Sequence, residues 1–259
     1  MIRLLDTHCH LDAYPDPRAV LAAADDAAVD VVAVSETPED YRRLRTRLGR
    51  TPRITVALGL HPASARAATP GQLERFLRML PDAEWIGEVG LDFAPGIDRR
   101  AKALQTAAFQ AVLDHQIVAA KPMTVHSRGA SKEAVDRLTR APARAVLHWY
   151  SGSLTTADDA LAAGLWFSVN PAMTRTPRGQ ALIAHLPRDR VLCETDGPYC
   201  KVGGRAAVPS DVRSVSRFLA DVWQAYEGDA SRLLAANALT FTTQRVNRST
   251  VSGVNPADT

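Results

Sequence analysis

The chain has 259 residues, of which 46% are hydrophobic and 23% are charged, and its formal net charge is +3. This composition excludes an intrinsically disordered chain, and the length suits a single α/β barrel of about 250 residues. The basic residues are scattered along the sequence. This excludes a broad basic face for nucleic acid, so any such contact should be local to an active site.

Short apolar runs, rich in β-branched residues, alternate with longer segments of helical periodicity. In chain order, the predicted strands cover residues 3–7, 30–35, 54–60, 85–88, 122–126, 145–148, 165–169 and 190–195. The predicted helices cover residues 17–28, 38–48, 70–80, 99–118, 129–140, 154–163, 177–186 and 210–226, and another follows at 229–241. This alternation predicts a single-domain α/β fold, the (β/α)8 TIM barrel. A doubly wound open sheet alternates in the same way, but more often with about five or six strands.

The sequence contains no linker, internal repeat or low-complexity block that would divide it. We predict one domain over residues 1–244 and a flexible, polar C-terminal tail over 245–259. No basic leader precedes an apolar run, and no apolar stretch reaches the ~20 residues of a membrane-spanning helix. The three cysteines form no C-x-x-C pair, as is typical of a reduced compartment. We therefore expect a cytoplasmic protein without a membrane partner.

Most of the histidines follow predicted strands. Five of the seven lie at or just after the carboxyl end of a strand: His8, His10, His61, His126 and His148. Glu88 and Asp196 lie at the ends of two other strands. In a barrel the carboxyl ends of all strands open on one mouth, where active sites are built, so we expect these side chains to converge.

The histidines at the end of the first strand form an H-x-H pair. Residues two apart in a strand point to the same side, so His8 and His10 both face the barrel interior while Cys9 faces away. By itself such a pair is also compatible with polar packing or chance. The pair indicates a metal site only when it is considered together with the residues at the other strand ends.

The combined set comes from five strand ends and mixes imidazole with carboxylate: His8, His10, Glu88, His126, His148 and Asp196. Desolvating several such groups without partners is costly. A purely structural network would more usually supply arginines, and Arg128 is the only one close to these positions. Two divalent cations would compensate the buried imidazoles and carboxylates more simply than such a network, so we predict a metal site.

The segments that contain these residues form an ordered series of motifs: DTHCHLD (6–12), GLHP (59–62), GEVGLD (87–92), HSR (126–128), HWYSG (148–152) and ETDGPY (194–199). In this order and at these strand ends, they resemble the TatD family of metal-dependent deoxyribonucleases, within the amidohydrolase superfamily. The resemblance runs from about residue 5 to 241, nearly the whole chain. It implies a metal-dependent hydrolase of nucleic acid.

The resemblance also implies a distribution of metal ligands. His8 and His10 would bind one ion, and Glu88 would bridge to a second ion held by His126 and His148. Two divalent ions are therefore expected. Imidazole-rich ligands favour Zn²⁺ or Mn²⁺, whereas carboxylates and a phosphate substrate also allow Mg²⁺.

The same resemblance assigns the remaining roles. Asp196 would ligate metal and take the proton of the attacking water, which makes it, with Glu88, the catalytic candidate. The substrate-binding candidates are His61, Arg128 and Tyr150. Asp92 would contact a metal ligand from outside. Glu194 has the same strand parity as Asp196, and we interpret it as a buried, hydrogen-bonded carboxylate.

The segment after the last motif departs from the common family pattern. It reads CKVGGRAAVPSDV (200–212), where typical members carry a basic segment that contains Asn-Pro. The stretch APGIDRR (94–100) is compact, and SETP (35–38) replaces a small-polar run. These features resemble a divergent, Qat-type branch associated with bacterial anti-phage defence, which implies protein partners from a defence operon.

The implied activity is hydrolysis of DNA phosphodiester bonds, as a 3′-5′ exonuclease on single strands. The nucleophile would be a metal-bound hydroxide, because two ions about 3.5–4 Å apart can bind both water and a phosphate oxygen and lower the pKa of that water to about 7. Two alternatives stay open. One is hydrolysis of another ester or amide, such as a lactone, a small phosphoester or a D-aminoacyl-tRNA. The other is a non-catalytic partner in a defence complex, against which the intact ligand set argues.

Overall fold

The computed structural model describes residues 1–49, 51–64, 69 and 71–243. Its eight long strands are parallel and form a closed barrel in sequence order. They are β1 (Leu4–Cys9), β2 (Val29–Ala33), β3 (Ile54–Leu58), β4 (Trp85–Gly90), β5 (Pro122–His126), β6 (Arg144–Leu147), β7 (Trp166–Val169) and β8 (Val191–Cys193). Pairing of Asp6 with Cys193 joins β1 to β8 and closes the cylinder. The predicted (β/α)8 barrel is confirmed, and the open sheet is excluded.

A helix follows each strand. The helices are α1 (Pro17–Asp26), α2 (Pro38–Leu48), α3 (Gln72–Met79), α4 (Arg99–Asp114), α5 (Ser131–Thr139), α6 (Leu154–Ala162), α7 (Pro177–His185) and α8 (Val212–Trp223), with α9 (Glu227–Thr243) after them. Each corresponds to a predicted helix, and the ends differ by a few residues. The largest difference is in α4, which ends at Asp114 because the backbone becomes extended at His115.

Polar side chains start several helices on the side of the barrel where the strands end. Asp16, Thr37, Asp98, Ser153 and Thr176 each accept a hydrogen bond from an N–H group in the first turn of the helix that follows. Such caps satisfy N–H groups that have no partner within the helix. They fix where the helices begin, which leaves the strand ends close together at one mouth.

The last helix closes the opposite, amino end of the barrel. The ring of Phe241 lies 5.5 Å from that of Trp85 and 5.6 Å from that of Trp166, measured between centroids. These tryptophans are the first residues of β4 and β7, and all three rings are buried. The rest of this inner cluster is aliphatic: Val32, Val34, Ala57, Val146, Leu192 and Ala238. The interior is therefore a packed core below the mouth.

A short antiparallel hairpin, absent from the predicted elements, lies after β8. It consists of β9 (Lys201–Val202) and β10 (Arg205–Ala206). The guanidinium of Arg205 donates to both carboxylate oxygens of Asp211, at 2.7 and 2.8 Å. The hydroxyl of Tyr14 donates to the carbonyl of Ala207. These contacts anchor the divergent segment 200–212 beside the mouth.

The predicted tail, residues 245–259, lies outside the described residues, so its separation from a domain over 1–244 stays a prediction. None of the described helices combines the length and apolarity that crossing a membrane requires. The three cysteines, Cys9, Cys193 and Cys200, are buried free thiols.

Candidate metal centre

Glu88 of β4 lies at the middle of a cluster of imidazoles, and only 1% of it is exposed. Its Oε1 atom is 2.6 Å from His126 Nδ1 and 2.8 Å from His148 Nε2. Its Oε2 atom is 3.3 Å from the Nε2 atoms of both His10 and His61. A single carboxylate thus faces imidazoles from β1, β5 and β6 and from the loop after β3.

The approach of β4 to β5 depends on Gly90, which has a φ of 134°. A Cβ atom there would lie 2.1 Å from the carbonyl oxygen of His126, so a larger residue would push the two strands apart. The short distance between Glu88 and His126 requires that contact. The second glycine of the GEVGLD motif therefore serves the geometry of the site.

The H-x-H pair occupies the end of β1 as predicted from its two-residue period. Both rings are buried, and the Nε2 atoms of His8 and His10 are 3.3 Å apart. Asp196 faces the pair, with Oδ1 at 3.7 and 3.5 Å from these two nitrogens. Cys9 points away, and its Sγ atom contacts the carbonyl of Gly197 at 3.6 Å.

His126 and His148 form the other side of the cluster. The Nδ1 atom of His126 is 3.3 Å from His148 Nε2, and both nitrogens face Glu88. The second nitrogen of His126, Nε2, lies 2.9 Å from Asp92 Oδ2. The second nitrogen of His148, Nδ1, lies 3.7 Å from Glu194 Oε2. In both rings one nitrogen faces the centre and the other faces an outer carboxylate.

The donor set fits divalent cations. Two groups of three residues place all their ligand atoms within 4.8 Å of one another: His8 with His10 and Glu88, and His61 with Glu88 and His126. The Oε2 atom of Glu88 is buried and has no hydrogen-bond partner among the described residues. A buried carboxylate oxygen without a partner is costly, and a cation would satisfy it. Imidazole and carboxylate are ligands of zinc and manganese.

A third group, His8 with His148 and Glu194, is also compact enough for an ion. However, both oxygens of Glu194 already have partners. The N–H of Trp149 and the Nδ2 of Asn170 donate to Oε1 at 2.9 and 3.0 Å, and the Ser168 hydroxyl donates to Oε2 at 2.5 Å. Glu194 is therefore a hydrogen-bonded carboxylate beside the site, in agreement with the interpretation from the sequence.

The pKa values of the metal-free protein show that the centre stabilises positive charge. Burial alone would raise the pKa of Glu88, but the surrounding histidines outweigh it and hold that pKa well below its usual value. Burial would lower the pKa of His148, yet Glu88 and Glu194 raise it well above the usual value. The pKa of His126 is raised against burial in the same way, by Glu88 and Asp92. In the metal-free protein, protons on these rings supply the positive charge that bound cations would supply.

Asp196 differs from Glu88. Burial raises its pKa to about 6, with a further contribution from the negative charges of Glu88 and Glu194, although His148 and His10 oppose the shift. Its backbone is left-handed, with a φ of 49°, and its N–H donates to the carbonyl of His8 at 2.9 Å. A carboxylate with a pKa in this range, fixed at the mouth, suits proton transfer near neutral pH.

Two further residues, not singled out from the sequence, support the ligand candidates. Asp6 is buried and accepts hydrogen bonds from the N–H groups of His8 and Thr195 at 3.2 and 2.9 Å. It thereby joins the end of β1 to the segment that carries Asp196. The Oγ1 atom of Thr124 lies 2.8 Å from Nδ1 of His8, which leaves Nε2 directed at the centre. Asp6 shares its strand parity with His8, and that signal was present in the sequence.

The predicted substrate-binding residues lie in different environments. His61 sits in the cluster itself, and its Nδ1 accepts from the N–H of Ala63 at 3.1 Å. Arg128 lies at the rim, with 63% of its side chain exposed and Nε 3.0 Å from Asp92 Oδ2. Tyr150 is buried instead: its hydroxyl donates to the carbonyl of Ser153 at 2.9 Å. The role of Tyr150 as a substrate contact stays a prediction; its neighbour Trp149 is 37% exposed, and both residues line one cavity.

Comparison with known proteins identifies relatives over nearly the whole chain. The family described as TatD related DNase matches residues 5–243. Human "Deoxyribonuclease TATDN3" is 32% identical over 217 residues, which cover 76% of this chain and 78% of the relative. "Uncharacterized metal-dependent hydrolase YjjV" of Escherichia coli (strain K12) is 30% identical over 237 residues, which cover 84% and 88% of the two chains.

The crystal structure of the same YjjV, a TatD homologue, superposes with a TM-score of 0.83 and 26% sequence identity, and covers 95% of this chain and 99% of that one. A "3'-5' ssDNA/RNA exonuclease TatD" from Edwardsiella piscicida is 35% identical over 151 residues. That alignment covers 54% of this chain and 56% of the relative. Fold, motif order and relatives therefore agree.

Proposed function

This chain belongs to the TatD family of metal-dependent hydrolases, and from that membership we propose that it hydrolyses phosphodiester bonds of single-stranded DNA as a 3′-5′ exonuclease. The observation that carries the proposal is the position of Glu88. Both of its oxygens face imidazoles, at distances of 2.6 to 3.4 Å, and Oε2 has no hydrogen-bond partner in the part of the chain that the structure describes. This supports the proposal that Glu88 is a ligand shared between two cations.

In this proposal His8, His10 and Asp196 would hold one ion, His126 and His148 would hold a second, and Glu88 would be available to both. Imidazole nitrogens predominate, so Zn²⁺ and Mn²⁺ fit best, and Mg²⁺ is the alternative for a phosphate substrate. When bound, two such ions lower the pKa of a coordinated water and offset the charge that develops on a transferring phosphoryl group.

The protein's own groups complete the chemistry. Asp196, with a pKa near 6 in the metal-free protein, accepts the proton of the attacking water and returns it to the leaving oxygen. His61 accepts at Nδ1 from Ala63, and its Nε2, which faces Glu88 Oε2 at 3.3 Å, is the nitrogen that would donate to a phosphate oxygen. Arg128 offers its guanidinium at the rim. Each role is tested by substitution.

An outer carboxylate holds one of the ligand histidines in place. Asp92 Oδ2 is within hydrogen-bond distance of His126 Nε2, at 2.9 Å, whereas Glu194 Oε2 lies 3.7 Å from His148 Nδ1, beyond hydrogen-bond distance. An acceptor on the outer nitrogen fixes the tautomer and orientation of a ligand imidazole. The contact between Asp92 and His126 supports the proposal that Asp92 positions a metal ligand from outside.

Single-stranded DNA is proposed as the substrate because a relative from Edwardsiella piscicida is named as a 3'-5' ssDNA/RNA exonuclease. The same relative makes RNA the closest competing substrate. A cytoplasmic location is part of the proposal and is supported by the three free thiols, which a reducing compartment maintains. A role in anti-phage defence, with operon partners, stays a prediction that rests on the divergent segment 200–212.

The test is cleavage of end-labelled single-stranded DNA by the purified protein with Mg²⁺, Mn²⁺ or Zn²⁺. EDTA and His8→Ala should each abolish cleavage, whereas His185→Ala, at a histidine in α7 that pairs with Asp158, should leave it unchanged. Label at the 5′ end distinguishes stepwise shortening from internal cuts. Metal binding without cleavage of DNA or RNA would overturn the proposal in favour of another ester or amide, which a panel of lactones and phosphoesters would identify.

A further inference from the structure

The loops around the mouth are unequal in charge. Those after β1, β2 and β4 contain no lysine or arginine and carry five acids: Asp12, Asp16, Glu36, Asp92 and Asp98. The loops after β5 to β8 contain Arg128, Arg175, Lys201 and Arg205. Arg178 follows in the first turn of α7, as Arg18, Arg99 and Arg100 do in the first turns of α1 and α4. The acids on that side, Glu194, Asp196 and Asp211, already serve the centre or pair with Arg205. Within these loops the lysine and arginine side chains therefore lie on the β5–β8 side.

Several of these cations are held at the surface. A guanidinium nitrogen of Arg175 donates to the carbonyl of Lys201 at 2.5 Å, and one of Arg178 donates to the carbonyl of Gly152 at 3.2 Å. Neither arginine forms an ion pair with a described carboxylate. The same holds for the exposed ammonium of Lys201 within the described ranges. Their charge is available to a ligand.

Two large aromatic side chains are exposed on the same side. Trp149, directly after the candidate ligand His148, is 37% exposed, and Tyr199, three residues after Asp196, is 54% exposed. The ring of Tyr199 lies 4.8 Å from that of His10, edge to face. Trp149 borders a cavity of about 200 Å³ that Arg178 also lines. Exposed aromatic rings beside the centre are surfaces on which nucleobases can stack.

The backbone of Trp149 is fixed in a conformation that this residue type rarely adopts. Its φ is 38°, in the left-handed region, which carries a steric cost for a residue with a Cβ atom. The hydrogen bond from its N–H to Glu194 Oε1, at 2.9 Å, stabilises that conformation. The carboxylate beside His148 thus also determines where the indole lies.

We propose that the β5–β8 side of the mouth is a track for an unpaired nucleic-acid strand, on which Trp149 and Tyr199 stack bases while Arg175, Arg178 and Lys201 contact phosphates. This inference rests on the proposed function and specifies how its substrate is recognised. Stacking on aromatic rings tolerates any base, and a basic groove follows the backbone. Paired bases offer no free face to the rings, so the track selects single strands.

The binding test uses the Mn²⁺-loaded protein and a fluorescent phosphorothioate oligothymidylate of about eight nucleotides, whose linkages resist hydrolysis. Trp149→Ala should weaken binding about tenfold, as expected for one lost base stack, while Trp149→Phe retains most of the affinity. The matched control is Tyr226→Ala, at an exposed tyrosine after α8, on the amino side of the barrel. A strand of the same length without bases should bind wild type and Trp149→Ala equally.

The cationic part of the track has its own measurement. Removing Lys201 or Arg178 should each reduce the slope of log affinity against log salt by about one. Arg140→Ala, at the end of α5, should leave the slope unchanged. A slope that responds equally to all three substitutions would show general charge attraction and overturn the assignment of the track.

Hydrolysis of a small phosphodiester without a nucleobase, bis(p-nitrophenyl) phosphate, separates the track from the centre. Trp149→Ala should raise the KM for an oligonucleotide about tenfold relative to the KM for this substrate, whereas Tyr226→Ala should leave both KM values as in wild type. Unchanged oligonucleotide binding in Trp149→Ala would overturn the track while the proposed function stands. Binding that depends on Trp149 but no cleavage of any strand would support the track and overturn the nuclease.

Discussion

Asp92 and His126 are joined by a contact of 2.9 Å between Oδ2 and Nε2, while the opposite nitrogen of the same ring faces Glu88 at 2.6 Å. Burial would raise the pKa of Asp92, but its hydrogen bond with His126 and the positive charges of His126 and Arg128 lower that pKa to about 2. The carboxylate is thus ionised at any working pH. It acts on the candidate centre only through the imidazole.

The first prediction concerns this contact. Asp92→Ala should reduce metal affinity by about 10- to 100-fold, because His126 loses the acceptor that fixes its ring. Isothermal titration of the metal-free protein with Mn²⁺ measures the change. Asp98→Ala, at the cap of α4 in the same loop, is the control and should affect stability rather than affinity. Equal affinities for wild type and Asp92→Ala would contradict a positioning role.

The second prediction concerns Asp196 as proton acceptor. Asp196→Asn keeps the shape of the side chain but cannot take a proton, so kcat should fall by about 10²- to 10⁴-fold. Circular dichroism and the melting temperature should remain close to wild type. Asp189→Asn, at an exposed aspartate, should be fully active. Near-normal turnover in Asp196→Asn would show that another group accepts the proton.

The third prediction is a pH dependence of metal binding. Burial and neighbouring carboxylates raise the pKa of Asp196 to about 6, so below that pH a metal ion must displace its proton. The raised pKa values of His10, His126 and His148 require further protons to leave. Apparent affinity should therefore increase as pH rises through about 6, with proton release detectable as a buffer-dependent heat. A flat profile between about pH 5 and 7 would contradict this ligand set.

The fourth prediction is that metal removal lowers thermal stability. A ligand at about a hundred times its Kd stabilises the folded state by about 2.7 kcal/mol. For a chain of this size, that corresponds to a shift in Tm of about 5–10 °C. Differential scanning calorimetry with and without EDTA measures the shift. Glu88→Ala should melt at one temperature regardless of metal, and a persistent shift in that variant would place the ions elsewhere.

The fifth prediction tests the inner core. Phe241→Ala leaves a cavity against Trp85 and Trp166 and should lower the free energy of unfolding by about 3–5 kcal/mol. Leu239→Ala, at an exposed residue of the same helix, should change it little. Urea titration measures both. Metal affinity should be unchanged in folded Phe241→Ala, since the substitution lies at the opposite end of the barrel.

Much of this architecture could be predicted from the sequence, because strands and helices that alternate with different periods are a strong local signal. The two-residue period also placed His8 and His10 on one side and Cys9 on the other. The same period, extended back by one step, would have identified Asp6. It was overlooked because an acidic residue within a strand near the chain start carries no chemical motif of its own.

Side-chain direction could not be predicted where the strand period ends. The resemblance of the motif HWYSG implies that Tyr150 contacts substrate, but the motif does not show that the backbone at Trp149 is left-handed. Nor does it show that Tyr150 packs edge to face against Phe167, at 5.2 Å between ring centroids, or that Trp149 is partly exposed. The conformation of Trp149 is stabilised by a hydrogen bond to Glu194, 45 residues away in the sequence. A local sequence pattern cannot predict a contact between residues that far apart.

The hairpin after β8 was missed for a different reason. Strands of two residues are too short to show a period, although Gly203 and Gly204, both with positive φ, are the kind of pair that favours a tight hairpin turn. The position of the hairpin depends on the pairing of Arg205 with Asp211 and on Tyr14. The contact of Tyr14 joins parts of the chain that are far apart in the sequence, so a local sequence pattern does not predict it.

The place of Phe241 between Trp85 and Trp166 has a consequence for biosynthesis. The inner aromatic cluster joins residues from the middle of the chain to one that is translated more than seventy residues after Trp166. A nascent polypeptide that has already emerged through β8 still lacks the ring that fills its interior. Ribosome-bound intermediates of this barrel therefore expose two tryptophans until α9 has been synthesised, and they are the species on which a chaperone would act.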